Sequence, residues 1–409
     1  MTSPLAVIGI GADGLDGLNA QARGEILDAD VVVGGVRHLD LLPEVVGQER
    51  VTWPSPLREG LPALLERYAG RRVVVLASGD PLVSGIGSTL VELLGPARVR
   101  IVPTVSSVAL ARARLGWAAE SVEIVSLVGR DAHAVLRPLA DGRRLLVLSA
   151  DETTPAAVAS LLTEAGFGAS ALTVLGDLGA ATESRVDGTA ATWSAETWTA
   201  ETWTTEPPRL NVLAVECRGV GLSLVPGLPD DAFEHDGQLT RRDLRASALA
   251  RLAPAPGQLL WDVGAGAGSV GIEWLRTHPS MRAVAVEARP ERAERIERNA
   301  RRLGVPGLDV VVGSAPEALT GLPAPDAVFV GGGASRAGVL EAALAALVPG
   351  GRLVVHAVTL ETEALLADWH AKLGGELTRT RVEVAAPVGG FTGWTPGRAI
   401  TQWALVVGA

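Results

Sequence analysis

Lysine and cysteine are nearly absent from this chain: Lys372 is the only lysine among 36 basic residues, and Cys217 is the only cysteine. Each shortage removes a class of chemistry. No GxxxxGK[ST] phosphate loop can form, and Schiff-base catalysis is left with one side chain in a helical stretch outside any glycine-rich loop. A lone cysteine closes no intrachain disulfide, which fits a reducing compartment. The six histidines lie apart, without HxxxH, HExxH or a Cys/His cluster, so no protein-held metal is expected. No apolar run approaches the ~18 residues of a membrane span, and the strand LAVIGIG is reached without a basic stretch and an apolar leader. A cytoplasmic protein with no membrane partner is expected. A net charge of -10 leaves no concentrated basic surface for phosphate neutralisation, so a nucleic-acid partner is not expected either.

What is present is globular. With 409 residues, 47% hydrophobic and 20% charged, the chain is too long for one average core and predicts two domains. LAVIGIG, ADVVVGG, RRVVVLAS, VRIVPT, VEIVSLVG and RRLLVLSA alternate with helical segments, and LNVLAVEC closes the series at Cys217. These are buried strands of an α/β domain. The aperiodic stretch RGVGLSLVPGLPDDAFEHDG reads as a linker, which sets boundaries at 1–217, 218–237 and 238–409. Beyond it, QLLWDVG, AVAVEA, DVVVGSA, AVFVGGG and GRLVVHAV form a second series, followed by the extended runs LTRTRVEVAAPV and ITQWALVVG. This pattern predicts a doubly wound sheet that ends in an antiparallel hairpin and binds its ligand at the carboxyl ends of the strands. RPERAERIERNARR predicts an exposed helix supported by Glu291/Arg295, Glu294/Arg298 and Glu297/Arg301. A TWxxE pentad at Trp193, Trp198 and Trp203 suits neither a helix nor a strand face and reads as a surface loop.

Two strand-to-glycine loops carry the chemistry. In WDVGAGAGSVGIEW a strand ends in the D-x-G-x-G-x-G form, and Gly264, Ala265, Gly266, Ala267 and Gly268 let backbone approach a nucleoside closely. Glu287 closes the next strand, AVAVE, where a carboxylate accepts hydrogen bonds from ribose hydroxyls. The other loop, Ser78-Gly79-Asp80-Pro81-Leu82-Val83, is a sharp turn at a strand end. Gly9 to Gly14 also matches G-x-G-x-x-G, but the second strand ends in Gly34 and Gly35 instead of an acid, which argues against classical dinucleotide binding.

With VIGIG upstream and PTVSSVALARARLGW downstream, the turn at Gly79 resembles the tetrapyrrole (corrin and porphyrin) methylase family. DGQLTRRDLRA, WDVGAGAGSVGIEW, GSAPEAL, VFVGGG, HAVTLE and PVGGFTGW resemble the class I methyltransferases, and among them the decarboxylating corrin-precursor methylases. Together the two resemblances cover nearly the whole chain. They imply an α/β protein in which a two-lobed tetrapyrrole methylase fold precedes a class I Rossmann-like methyltransferase domain with a terminal antiparallel hairpin. They imply one S-adenosyl-L-methionine per domain and a corrin-precursor tetrapyrrole as substrate. The first domain would methylate C5; the second would methylate C15, with loss of carboxylate from the ring C acetate. The implied cofactor positions are Ala12, Asp80, Val83, Ser106 and Ser107 in the first domain. In the second they are Gly264, Ala265, Gly266, Ala267 and Gly268, with Glu287 at the ribose, Ala315 at the adenine edge and Thr240 as a cap. Arg37, Arg130 and Arg398 adjoin motif loops and are candidates for the substrate's carboxylates. A homo-oligomer is expected, and no catalytic acid or base is implied. Relatives often carry histidine where Val128 stands and aspartate where Ser314 stands. Two other readings stay open, an NAD(P)-dependent oxidoreductase built on Gly264 to Gly268 with Glu287, and a non-catalytic tetrapyrrole carrier.

Overall fold

The computed structural model describes residues 4–193 and 208–408. The chain divides into two compact units, Met1–Arg130 with Asp141–Gly219, and Asp131–Ala140 with Val220–Ala409.

The first unit holds two sheets. β1 (Leu5–Ile10), β2 (Val31–Gly34), β3 (Glu49–Thr52), β4 (Val73–Ser78) and β5 (Val99–Val102) form a parallel sheet in the order β3-β2-β4-β1-β5. Alternation divides its side chains between two cores. Ile8, Ile10, Val32 and Leu76 pack with Ile26 on one face, while Val7, Val31, Val33 and Val75 pack with Leu61, Tyr68 and Leu90 on the other. Burial on both faces is why these strands read as unbroken apolar runs. The second sheet runs β6 (Val122–Ser126), β7 (Arg144–Leu148), β10 (Asn211–Glu216), β8 (Ala171–Gly176) and β9 (Ser184–Thr189), and only its β6–β7 pair is parallel. Trp193 is buried beside Gly188, so the first tryptophan of the TWxxE repeat is a core residue and not part of a surface loop. Trp198 and Trp203 lie outside the described residues.

The second unit is built on β11 (Leu259–Val263), β12 (Arg282–Glu287), β13 (Asp309–Val312), β14 (Ala327–Val330), β15 (Arg352–Ala357) and β16 (Glu376–Thr380). β17 (Glu383–Val388), β18 (Phe391–Pro396) and β19 (Ile400–Val406) complete it. The seven-stranded sheet has the order β13-β12-β11-β14-β15-β19-β16, with β19 antiparallel to both neighbours. The expected terminal antiparallel pair is therefore β16 with β19. The run LTRTRVEVAAPV does not stay in one strand; it divides between β16 and β17, and β17 pairs with β18 as a separate hairpin that leaves Phe391 and Trp394 exposed.

The stretch 218–237 is packed rather than free, with Leu228 and Phe233 buried in the core of the second unit. Helix Pro290–Arg302 buries Ala293, Ile296, Asn299 and Ala300. Its arginines do not take the i,i+4 partners expected from the sequence. Arg292 and Arg295 meet Asp236 at 2.9 and 3.2 Å, Arg298 meets Glu234 and Arg301 meets Asp131. Acids brought in by the preceding chain displace the helix's own glutamates. Arg292 in particular holds the Asp236 carboxyl well below the usual carboxylate range. Among the described residues no helix is long and apolar enough to cross a membrane.

Candidate functional site

In the first unit, three strand ends interlock through missing side chains. A Cβ on Gly9 would stand 1.6 Å from the carbonyl oxygen of Gly79. Gly79 N donates to Ile10 O at 3.0 Å, and Thr104 donates to Gly79 O from both N and Oγ1, at 3.1 and 3.0 Å. Gly79 has φ +50°, and its own Cβ would lie 2.9 Å from Ser106 Cα. The ends of β1, β4 and β5 are thus drawn together beneath a cleft between the two sheets, lined by Gly11, Ala12, Arg37, Ser78, Ser107 and Asn211 among others.

Ala12 and Ser107 face this cleft. The other expected cofactor positions of this unit shape its loops. Ser106 Oγ accepts from Ala109 N at 3.1 Å and so caps helix Ser107–Leu115. The Asp80 carboxylate accepts from Leu82 N at 2.9 Å, its carbonyl accepts from Val83 N at 3.0 Å, and Val83 packs half-buried beside Val108 and Trp117. Arg37 lines the cleft and donates to Ser78 Oγ at 2.9 Å and to His38 Nε2 at 2.7 Å. Burial, and then the Arg37 charge, push His38 down to about 4. Arg130 is exposed after β6 and is not among the cleft's lining residues, while Arg398 is exposed between β18 and β19 of the second unit.

The second site lies at the carboxyl ends of β11 and β12, beside the point between β11 and β14 where the strand order reverses direction, the position at which open α/β sheets bind ligands. Gly264 N and Ala265 N donate to Val286 O at 2.9 and 3.2 Å. Gly264, Gly266 and Gly268 have φ of +69°, +60° and +75°. Side chains there would strike Gly332 O at 2.7 Å, Gln238 O at 2.9 Å and Ile296 Cγ2 at 2.7 Å. Only glycine permits this cradle. Glu287 is buried at its centre and accepts from Gly266 N at 2.8 Å and Arg289 N at 3.1 Å. Asp262 lies behind it, also buried, and accepts from Gly271 N at 2.8 Å. Burial, reinforced by the Glu287 charge, pushes the Asp262 carboxyl up to about 7. Ala267 O accepts from Asn299 Nδ2 at 3.0 Å. Ala315 is half-buried beyond β13 against the neighbouring core.

Thr240 is half-buried in the segment that passes over Gly266, and its carbonyl accepts from Arg245 Nη1. The pair responsible for that placement was not singled out from the sequence. Arg245 is fully buried, donates to Glu273 Oε1 at 2.7 Å and to Leu228 O, and lies 4.7 Å over the Phe233 ring. Glu273 accepts in addition from Gly227 N at 2.6 Å and Leu228 N at 2.9 Å. The signal was a glutamate within the apolar stretch SVGIEWL. His38 and Ser78 were likewise not anticipated as a pair. Among the described residues, no group of three or more His, Cys, Asp or Glu side chains stands close enough to hold a metal ion.

On a two-sheet α/β unit with a cleft between its sheets, and a seven-stranded unit with a glycine cradle on a buried glutamate, the family matches fall on methyltransferases. The tetrapyrrole (corrin/porphyrin) methylases match residues 4–193, and a precorrin methyltransferase domain matches residues 231–407. A precorrin-6Y C(5,15)-methyltransferase [decarboxylating] from Sinorhizobium sp is 47% identical over 408 residues, 99% of this chain and 96% of that protein. A protein of the same name from Mycobacterium tuberculosis (strain CDC 1551 / Oshkosh) is 44% identical over 405 residues, 98% of this chain and 99% of that protein. A probable cobalt-precorrin-6B C(15)-methyltransferase (decarboxylating) from Pyrobaculum calidifontis is 36% identical over 164 residues, 39% of this chain and 84% of its own length. The chain belongs to the family of decarboxylating precorrin-6Y C(5,15)-methyltransferases.

Proposed function

We propose that this enzyme methylates C5 and C15 of precorrin-6Y and removes the carboxylate of the ring C acetate, with C5 assigned to the first unit and C15 and the decarboxylation to the second. The observation that carries the reading is the presence of two separately built glycine loops at strand ends in one chain, at Gly9/Gly79 and at Gly264–Gly268. A relative named for the C15 step alone, matching 39% of this chain, supports the division.

The second cradle fits S-adenosyl-L-methionine because glycine keeps the loop clear of Cβ atoms, and each Glu287 oxygen that holds a backbone N–H keeps a lone pair for a ribose hydroxyl. Ala12 and Ser107 are the corresponding contacts in the first cleft, with Asp80, Val83 and Ser106 shaping its loops. One such molecule per unit is part of the proposal. When bound, it supplies an electrophilic methyl group on sulfonium. The chain's contribution is alignment, worth about 7 to 11 kcal/mol when reacting atoms are well oriented. Arg37 offers a cationic anchor to an acetate or propionate of the macrocycle, and Arg130 and Arg398 are further carboxylate candidates. The electrons left by decarboxylation delocalise into the conjugated ring. A cytoplasmic, homo-oligomeric enzyme completes the reading.

Mass spectrometry and NMR of the methylated products test it in the full chain. Asp80→Ala and Glu287→Ala are expected to yield singly methylated products that differ in the position of the methyl group. Loss of the same methyl in both variants refutes the division of labour. Calorimetric binding of NADH without any response to S-adenosylhomocysteine refutes methyl transfer in favour of an oxidoreductase, and methylation unimpaired in both variants refutes the cofactor roles given to Asp80 and Glu287.

A further inference from the structure

Replacing a ring C–H by C–CH3 leaves one proton over: the new C–C bond forms, the S–CH3 bond breaks with its pair kept on sulfur, and the C–H pair stays in the ring. Alignment cannot dispose of that proton. In the first cleft we propose that Ser78 and His38 do so: Ser78 Oγ takes the proton from the methylated macrocycle while handing its own to His38 Nε2, and the imidazolium later releases it to solvent. This rests on the reading that the first unit methylates a tetrapyrrole carbon.

The geometry is a triangle. Arg37 Nη2 lies 2.7 Å from His38 Nε2 and 2.9 Å from Ser78 Oγ, and the last two atoms are 2.9 Å apart. A guanidinium nitrogen only donates, so His38 Nε2 must be the acceptor and the ring proton sits on Nδ1. The Ser78 hydroxyl shares the single Nε2 lone pair of His38 with Arg37, whose N–H turns to Ser78 Oγ alone when Nε2 takes the proton, and Ser78 Oγ keeps a lone pair for the cleft that it lines. Among the described residues His38 Nδ1 is buried with no hydrogen-bond partner. The charged groups acting on the triangle are Arg37 and, through it, Asp177. Burial and Arg37 keep the imidazole neutral and therefore able to accept. A substrate carboxylate on Arg37 offsets that positive charge and makes the imidazole more basic, so the pair is armed by its own substrate.

The test uses the full chain and two variants. Gln at position 38 can still accept from Arg37 but cannot carry the proton onward. His38→Gln and Ser78→Ala are each expected to slow single-turnover C5 methylation about 100-fold, at the low end of general acid–base effects. S-adenosylhomocysteine affinity and C15 methylation should stay within twofold, and the double variant should be no slower than the slower single. Nitrogen-15 NMR of the wild-type protein should show His38 bare at Nε2 and protonated at Nδ1, a readout independent of turnover and of variant folding. C5 methylation within twofold of wild type in His38→Gln, or a proton on Nε2, overturns the relay and leaves the methylase reading standing. A wild-type protein that adds a methyl only at C15 overturns the assignment of C5 to this unit, and the relay with it.

Discussion

Asp262→Asn is expected to change how the stability of the second unit depends on pH. The wild-type carboxyl is buried behind the glycine cradle and pushed from 3.8 up to about 7. Below pH 3.8 it is protonated in both folded and unfolded chains, and burial carries no ionisation penalty. Between pH 3.8 and about 7 the unfolded carboxyl ionises while the folded one stays protonated, so unfolding releases a proton and stability falls as pH rises, by about 1.4 kcal/mol per pH unit. Above pH 7 the loss is complete, at roughly 4 kcal/mol. Asparagine cannot ionise, and its carbonyl oxygen still accepts from Gly271 N. Hydrogen-exchange mass spectrometry of peptides spanning β11, in the full chain and corrected for intrinsic rates, reads this locally. Protection of the variant relative to wild type should rise by about 2.7 kcal/mol from pH 5 to pH 7, close to 100-fold in exchange rate, and then level off. Wild-type and variant profiles that stay parallel from pH 5 to pH 7 would show that Asp262 is already ionised at pH 5, and the reasoning from burial fails.

Gly9→Ala forces a Cβ to within 1.6 Å of a backbone oxygen. It should cost on the order of 3 kcal/mol and lower the first unit's transition in scanning calorimetry, whereas an unchanged transition would mean that the strand ends part easily. Glu287→Ala frees Gly266 N and Arg289 N from a charged acceptor, a loss of about 1.5 to 3 kcal/mol. Calorimetric titration should show roughly 10- to 100-fold weaker S-adenosylhomocysteine binding at one of two sites; an unaltered isotherm would show that the loop holds its own shape. Arg245→Met strands the Glu273 carboxylate in the core and should destabilise the second unit by about 3 to 5 kcal/mol in thermal unfolding, while adding Glu273→Leu should recover much of that. A single variant as stable as the double would contradict the role given to this pair.

The strands buried on both faces were legible because such burial leaves runs of valine, isoleucine and leucine, as in VVVLA and LLWDV. β3 and β9 were not, because ERVT and SRVDGT lie at sheet edges where polar residues face water. Nothing in LTRTRVEVAAPV marks Arg381 and Val382 as the break between two strands, so the run read as one. The second cradle was legible because backbone with positive φ demands glycine. Arg245 and Glu273 are 28 residues apart, and His38 and Ser78 are 40 apart, so no local pattern pairs them. Helix 290–302 misled in the opposite way. Its i,i+4 spacing names plausible partners, but Glu234 and Asp236 reach the arginines first.

The two units face different proton stoichiometries under the proposed division of labour, and this accounts for a difference between their sites. Methylation at C5 releases one proton and nothing in that step consumes it. Methylation at C15 also releases one, but replacing an acetate carboxylate by hydrogen consumes one, so the paired reactions of the second unit are neutral overall. The first cleft therefore needs a group that carries a proton away, and it places a neutral imidazole behind a hydroxyl at its wall. The second cradle has no such need. Its buried carboxyl groups are bound to backbone N–H groups, Glu287 to Gly266 and Arg289 and Asp262 to Gly271, and serve to hold the loop. A C15 methylation uncoupled from decarboxylation should consequently acidify an unbuffered reaction by one proton per turnover, and the coupled reaction should not when the released CO2 is purged before it hydrates to bicarbonate and a proton.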